Sequence, residues 1–143
     1  MTLLGSVLTV DLGSGRWETE PVPKPVENRF LAGRGIAVHL LRGAVPPGID
    51  PLGADNVLVF SCGLLAGTPA PASSRLHLCA LSPLTGLLGS SNVGGSPADR
   101  LRRCGIQTLV VTGRARRPSV LVVDSRGVNI LEAGFLWGTD TWE

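Results

Sequence analysis

The sequence predicts an α+β fold in which antiparallel sheets are braced by short helices, and three observations carry that prediction. The segments run strand, strand, helix, strand, strand, helix, strand, strand, strand. That order places two similar units in tandem, an internal duplication whose second repeat is incomplete, and it does not alternate as a doubly wound sheet would. Turn formers are dense, with 19 glycines and 11 prolines in 143 residues, and only 4% of residues are aromatic, which excludes the long helices of a bundle. The length is that of one domain, and 43% apolar residues suffice for a core.

Ser6 to Asp11 is rich in β-branched residues and reads as a strand. Gly13-Ser14-Gly15 turns it into a second strand, Arg16 to Val22, which alternates around Trp17. Pro23 and Pro25 end the hairpin. From Val26 to Leu41 the apolar spacing becomes helical, but Gly33-Arg34-Gly35 interrupts it. Each glycine inside a helix costs about 1 kcal/mol, so two short helices meeting there are predicted.

Pro46 to Asn56 is a loop, and Val57 to Ser61 is a continuous apolar run, hence a buried strand. A glycine- and proline-rich loop from Gly63 to Ser74 leads into a strand from Arg75 to Leu81. Ser82 to Gly95 reads as a second glycine-rich loop. Pro97 to Cys104 is a short helix with Ser96 as N-cap and Pro97 at its first position. Strands are expected at Thr108–Thr112, Ser119–Asp124 and Val128–Leu131. Near the end, Thr139 looks like an N-cap and Trp142 like a first-turn residue, as though the chain stopped where a helix should begin.

The net charge is only +2, too small to select a partner. Cys62, Cys79 and Cys104 match no zinc or haem spacing, and Cys62 and Cys79 sit in apolar segments that suit packing. The N-terminus lacks a basic leader pattern, and no apolar run reaches the roughly 18 residues of a membrane span. These features predict a cytoplasmic chain without membrane attachment. His39 and His77 have apolar neighbours and read as structural. Arg100, Arg102, Arg103, Arg114, Arg116 and Arg117 form a basic run, but no aromatic is interleaved to stack on bases. A solvated face or a subunit contact fits it better than nucleic acid.

One segment points to chemistry. Gly89 to Gly95 runs directly into a helix start, and its unblocked main-chain N–H groups suit a phosphate or other anion. Arg75 offers a forked, permanent charge to the same anion. On spacing alone a tight turn without a ligand is the commoner explanation, since most glycine-rich loops before helices bind nothing. The segment matches neither a Walker A loop nor the dinucleotide fingerprint.

Taken as a string, the chain resembles the N-terminal domain of the aldehyde:ferredoxin oxidoreductase family of tungsten, sometimes molybdenum, pterin enzymes. The resemblance is carried in order by Val10-Asp11-Leu12, Phe30-Leu31-Ala32-Gly33-Arg34-Gly35, Pro47-Gly48-Ile49-Asp50-Pro51-Leu52 and Gly67-Thr68-Pro69-Ala70-Pro71. It continues through Arg75, Ser82-Pro83-Leu84-Thr85-Gly86, Ser91-Asn92-Val93-Gly94-Gly95 and Leu136-Trp137-Gly138, and so extends over residues 1–143. It implies a bis-pterin tungsten (or molybdenum) cofactor with a bridging magnesium and a nearby [4Fe–4S] cluster, which together oxidise aldehydes to carboxylic acids and pass electrons to ferredoxin. By resemblance, Arg75 and the Asn92-x-Gly94 segment with Gly95 contact the pterin phosphates, and the Asn92 main-chain carbonyl helps hold the magnesium. Arg34 is expected to pack or brace a loop.

The sequence also departs from the family pattern. An aromatic Tyr-Phe-Gly stretch usually follows the paired glycines, where this chain has Ser96-Pro97-Ala98. Many members have glycine at the positions of Ser73 and Ser74, so a stiffer approach to Arg75 is expected. The family's cluster cysteines match nothing in this sequence. The expectation is therefore a cofactor-cradling N-terminal part, inactive alone, that works with the remaining catalytic part or a full-length relative. A non-catalytic pterin-binding or assembly module is the alternative.

Overall fold

A computed structural model describes residues 5–140. The first hairpin joins β1 (Ser6–Asp11) to β2 (Trp17–Pro21), with Val10 opposite Trp17. Its turn is closed by Asp11, whose carboxylate accepts from the Gly13 N–H at 2.8 Å and the Ser14 hydroxyl at 2.8 Å. Those bonds hold the Asp11 pKa below the usual carboxylate range.

Two helices follow, α1 (Lys24–Phe30) and α2 (Arg34–Ala44), divided at the glycine pair as predicted. Leu31 (φ 59°) and Gly33 (φ 57°) both take left-handed backbone there, which an α-helix cannot propagate. The Gly33 N–H donates to the Cys62 carbonyl at 2.9 Å, so the start of α2 is fixed to the end of the next strand, β3 (Leu58–Cys62).

The remaining elements are β4 (Leu76–Leu81), β5 (Leu88–Val93), α3 (Pro97–Arg103), β6 (Ile106–Thr112), β7 (Ser119–Asp124), β8 (Gly127–Glu132) and a single 3₁₀ turn at Gly134–Leu136. Six strands form one sheet in the order β2-β1-β6-β3-β4-β5, and β7 pairs only with β8. The α+β class is as predicted, and pairing is antiparallel except between β1 and β6, which run parallel. Strands from the two halves of the chain interleave in that one sheet, where the segment order had suggested units in tandem.

Alternation along the strands divides the core into two layers. On one face Ala37 and Leu41 of α2 pack on Val59, Cys79 and Val110. On the other, Leu8, Val10 and Leu109 lie beneath Leu121, Val123, Val128 and Ile130 of the β7–β8 hairpin. Beside them, Cys62 and Leu76 meet Ala66 and Ala98 of α3.

Two local expectations are corrected. Leu88–Val93, expected within a loop, is a strand paired with β4 throughout. It carries no apolar alternation because it is an edge strand with five of six residues exposed, so only main-chain bonding reveals it. Ser96 occupies the N-cap position of α3, but its backbone is already helical (φ −86°, ψ −12°) and its side chain makes no cap bond. The Thr139 hydroxyl donates to the Leu136 carbonyl at 2.9 Å; the helix start expected at Trp142 lies outside the described residues.

Candidate functional site

The sheet register brings the predicted anion-site residues to one end and one face of the sheet. Cys62, Leu76 and Val93 stand abreast as the last paired row of β3, β4 and β5. One step beyond that row come Gly63, Arg75 and Gly94, and the Gly63 N–H still donates to the Arg75 carbonyl at 2.8 Å. One step inside it come Ser61, His77 and Asn92. These two rows share a face because strand side chains repeat every second residue. It is the face covered by α2, whose first residue is Arg34.

The Arg75 side chain is exposed and makes no hydrogen bond or ion pair among the described residues. Its guanidinium lies over Gly94, with Nη1 3.6 Å from where a Cβ on that glycine would stand. The loop before it is tied on both sides. The Ser73 hydroxyl donates to the Leu65 carbonyl at 2.9 Å or the Ala70 carbonyl at 2.8 Å, and the Ser74 hydroxyl to the Gly95 carbonyl at 2.6 Å. The two serines thus tie down the approach to Arg75 and bind it to the glycine segment. Gly95 itself is left-handed at φ 79°, the geometry that swings the chain from β5 into α3.

His77, read from sequence as structural, lies inside this group. It is 5% exposed. Its Nε2 accepts from Arg34 Nε at 3.1 Å, and its Nδ1 is 2.6 Å from Asn92 Oδ1. Arg34 therefore braces, as expected, and the group it braces is His77. The available signal was that Arg75 and His77 are two apart in one strand and so project to the same side. Their partners, distant in sequence, gave none.

Arg100 and Arg103 on α3 and Arg114, Arg116 and Arg117 after β6 lie beyond opposite ends of that strand, whose seven residues span about 23 Å. Arg102 turns inward to donate to Gln107 Oε1 at 2.8 Å, and Arg117 pairs with Glu132 at 2.7 Å. The basic run is thus not one surface.

Cys62 is fully buried; burial, with Asp99 adding to it and Arg102 opposing it, pushes its thiol up to about 12. Burial also raises the Cys79 thiol, against the opposing charge of Arg34. Both cysteines should resist iodoacetamide at pH 8 while the partly exposed Cys104 is modified first, as peptide mass mapping would read. Labelling of Cys62 ahead of Cys104 would contradict the described packing. Because the Cys62 pKa is raised on folding, its contribution to stability is complete below about 9, the unfolded value, and is lost as pH rises toward 12.

Among the described residues no helix is long and apolar enough to cross a membrane. No group of three or more His, Cys, Asp or Glu side chains there could hold a metal ion.

Comparison with known proteins agrees with the fold. The family model for the aldehyde ferredoxin oxidoreductase N-terminal domain matches residues 7–143. The tungsten-containing aldehyde ferredoxin oxidoreductases of Pyrococcus furiosus and Thermococcus kodakarensis are 32% and 34% identical over 134 residues, which is 94% of this chain and 22% of theirs. The active site complex BamBC of benzoyl coenzyme A reductase, solved with 1,5-dienoyl-CoA, superposes with a TM-score of 0.90 at 33% identity. That match covers 94% of this chain and 20% of the other. The chain thus spans about a fifth of the length of these relatives. It belongs to the aldehyde ferredoxin oxidoreductase family, to which it contributes the N-terminal domain.

Proposed function

We propose that this domain is the floor on which the phosphates of a tungsten- (or molybdenum-) pterin cofactor rest in an aldehyde ferredoxin oxidoreductase. The single observation that carries the reading is Arg75, a guanidinium with no partner among the described residues, held over a glycine at the same sheet end as Asn92. A guanidinium free of protein partners can pair with a phosphate through two parallel hydrogen bonds. Arg75 would supply the forked charge, the N–H groups of Gly94 and Gly95 would supply short main-chain donors, and the Asn92 main-chain carbonyl would help hold the magnesium ion.

The residues present fit that group. A Cβ at Gly94 would stand in ordinary van der Waals contact with the Arg75 guanidinium, so the two lie close enough for one anion to meet both. When bound, the cofactor supplies the redox chemistry that oxidises an aldehyde to a carboxylic acid. The chain's own residues bind and orient its phosphates. The iron–sulfur cluster, the contact with ferredoxin and the rest of the metal site belong to the remaining catalytic part, with which this domain works in the cytoplasm. Relatives named for aldehydes and for benzoyl coenzyme A share this domain, so the substrate is selected elsewhere and the domain's task is the cofactor.

Gly94→Val tests the cradle. Its methyl groups displace the guanidinium, and losing one charged hydrogen bond weakens binding of magnesium pyrophosphate by about 10-fold or more. Gly94→Ala stays near wild type. Calorimetric titration reads both, and equal affinities for wild type and Gly94→Val would count against the assignment.

A further inference from the structure

We propose that His77 is a positioning residue for the phosphate site: its neutral imidazole, protonated on Nδ1, turns the Asn92 amide inward and so fixes how that residue faces the cofactor. The proposal rests on the reading that Asn92 belongs to the phosphate site, and it adds a residue that the motif resemblance does not contain.

The protonation state follows from donor chemistry. Arg34 Nε can only donate, so His77 Nε2, 3.1 Å away, must accept. A neutral imidazole carries one N–H, which is then on Nδ1 and donates to Asn92 Oδ1 at 2.6 Å. This fixes the amide of Asn92, with Oδ1 toward the ring and Nδ2 away from it.

Position makes the contact consequential. His77 and Asn92 are directly opposite in the β4–β5 register. β5 is the last strand of the sheet, and this is the one side-chain hydrogen bond that its described residues make. On the other side of the ring, Arg34 fixes the start of α2. Behind it in the same row, the Ser61 and Thr108 hydroxyls are 2.9 Å apart and buried, so the row is polar from β6 to the site. One ring therefore joins α2, β4 and β5 where the phosphates are proposed to lie. The Asn92 side-chain oxygen is occupied by that ring, which leaves Nδ2 and the main chain to face a ligand.

Two substitutions separate positioning from simple bracing. Asparagine places an amide nitrogen where Nδ1 was, so His77→Asn keeps the donor to Asn92 and drops Arg34. Glutamine reaches the Nε2 position, so His77→Gln keeps an acceptor for Arg34 and drops Asn92. The experiment uses the full 143-residue chain, ¹⁵N-labelled, with long-range ring correlations for His77 and a magnesium pyrophosphate titration followed at the Gly94 and Gly95 amides. The expected results are an Nδ1–H ring, His77→Asn within about twofold of wild-type affinity, and His77→Gln weaker by about fivefold, the size of one hydrogen bond.

An Nε2–H ring, or equal affinities for the two variants, overturns the proposal. If pyrophosphate leaves Gly94 and Gly95 unmoved in the wild type, the phosphate-site reading fails, and with it the link to a ligand. The orientation of Asn92 is still decided, because its side-chain amide signals should shift in His77→Gln and not in His77→Asn.

Discussion

Arg75→Glu is expected to weaken binding of magnesium pyrophosphate by on the order of 100-fold or more while leaving the fold intact. A hydrogen bond to a charged group contributes about 1.5–3 kcal/mol, and each 1.4 kcal/mol is about tenfold in affinity. Reversing the charge also puts a carboxylate against the phosphates, and like charges near 4 Å repel by about 4 kcal/mol at the effective dielectric of a protein surface. Stability should change little, because the Arg75 side chain is exposed and makes no hydrogen bond or ion pair among the described residues, and surface changes of this kind usually stay within about 0.5 kcal/mol. Calorimetry reads the affinity and thermal unfolding the control. In the complemented enzyme the same substitution should lower tungsten content; unchanged metal would count against Arg75 as a cofactor contact.

The second large effect is on stability and depends on the helix junction that positions Arg34. Gly35→Ala ought to help on propensity alone, since alanine is better than glycine in a helix by about 1 kcal/mol. Packing reverses the sign. A Cβ at Gly35 would stand 2.5 Å from the Phe30 carbonyl oxygen and 3.3 Å from the Phe30 Cβ, and a main-chain oxygen cannot rotate aside. The two helices must separate, at a cost of about 2–3 kcal/mol. Gly43 lies in the same helix with nothing within 4 Å of an added Cβ, so Gly43→Ala should stabilise by about 1 kcal/mol. Urea unfolding of both variants gives the contrast, and a Gly35→Ala chain as stable as Gly43→Ala would mean that the junction is not packed as described.

What could be read directly from the sequence was whatever has a local cause. β1 and β6 show β-branched runs, the first hairpin has its glycine turn, and the break between α1 and α2 follows from glycines that a helix disfavours. β5 escaped because Leu88-Gly89-Ser90-Ser91-Asn92-Val93 has no buried face, and an edge strand is held by main-chain bonds that composition does not record. The parallel pairing of Ser6–Asp11 with Ile106–Thr112 joins segments about a hundred residues apart, and no local pattern encodes it.

The site divides in the same way. Arg75 and the Asn92–Gly95 segment stood out through residue type and resemblance, and the register accounts for their meeting. The link from Arg34 through His77 to Asn92 did not stand out, because each residue alone has an ordinary structural explanation. Only the register of β4 against β5 and the docking of α2 bring the three together.

The most direct test of the central claim is to purify the native polypeptide carrying this sequence from its host and measure tungsten, molybdenum and iron across a size-exclusion profile. If the domain is a cofactor floor, tungsten or molybdenum elutes with it, together with iron, in a species large enough to hold the remaining catalytic part. A peak containing this sequence at the mass of a monomer or small oligomer, with none of the three metals, would contradict that account.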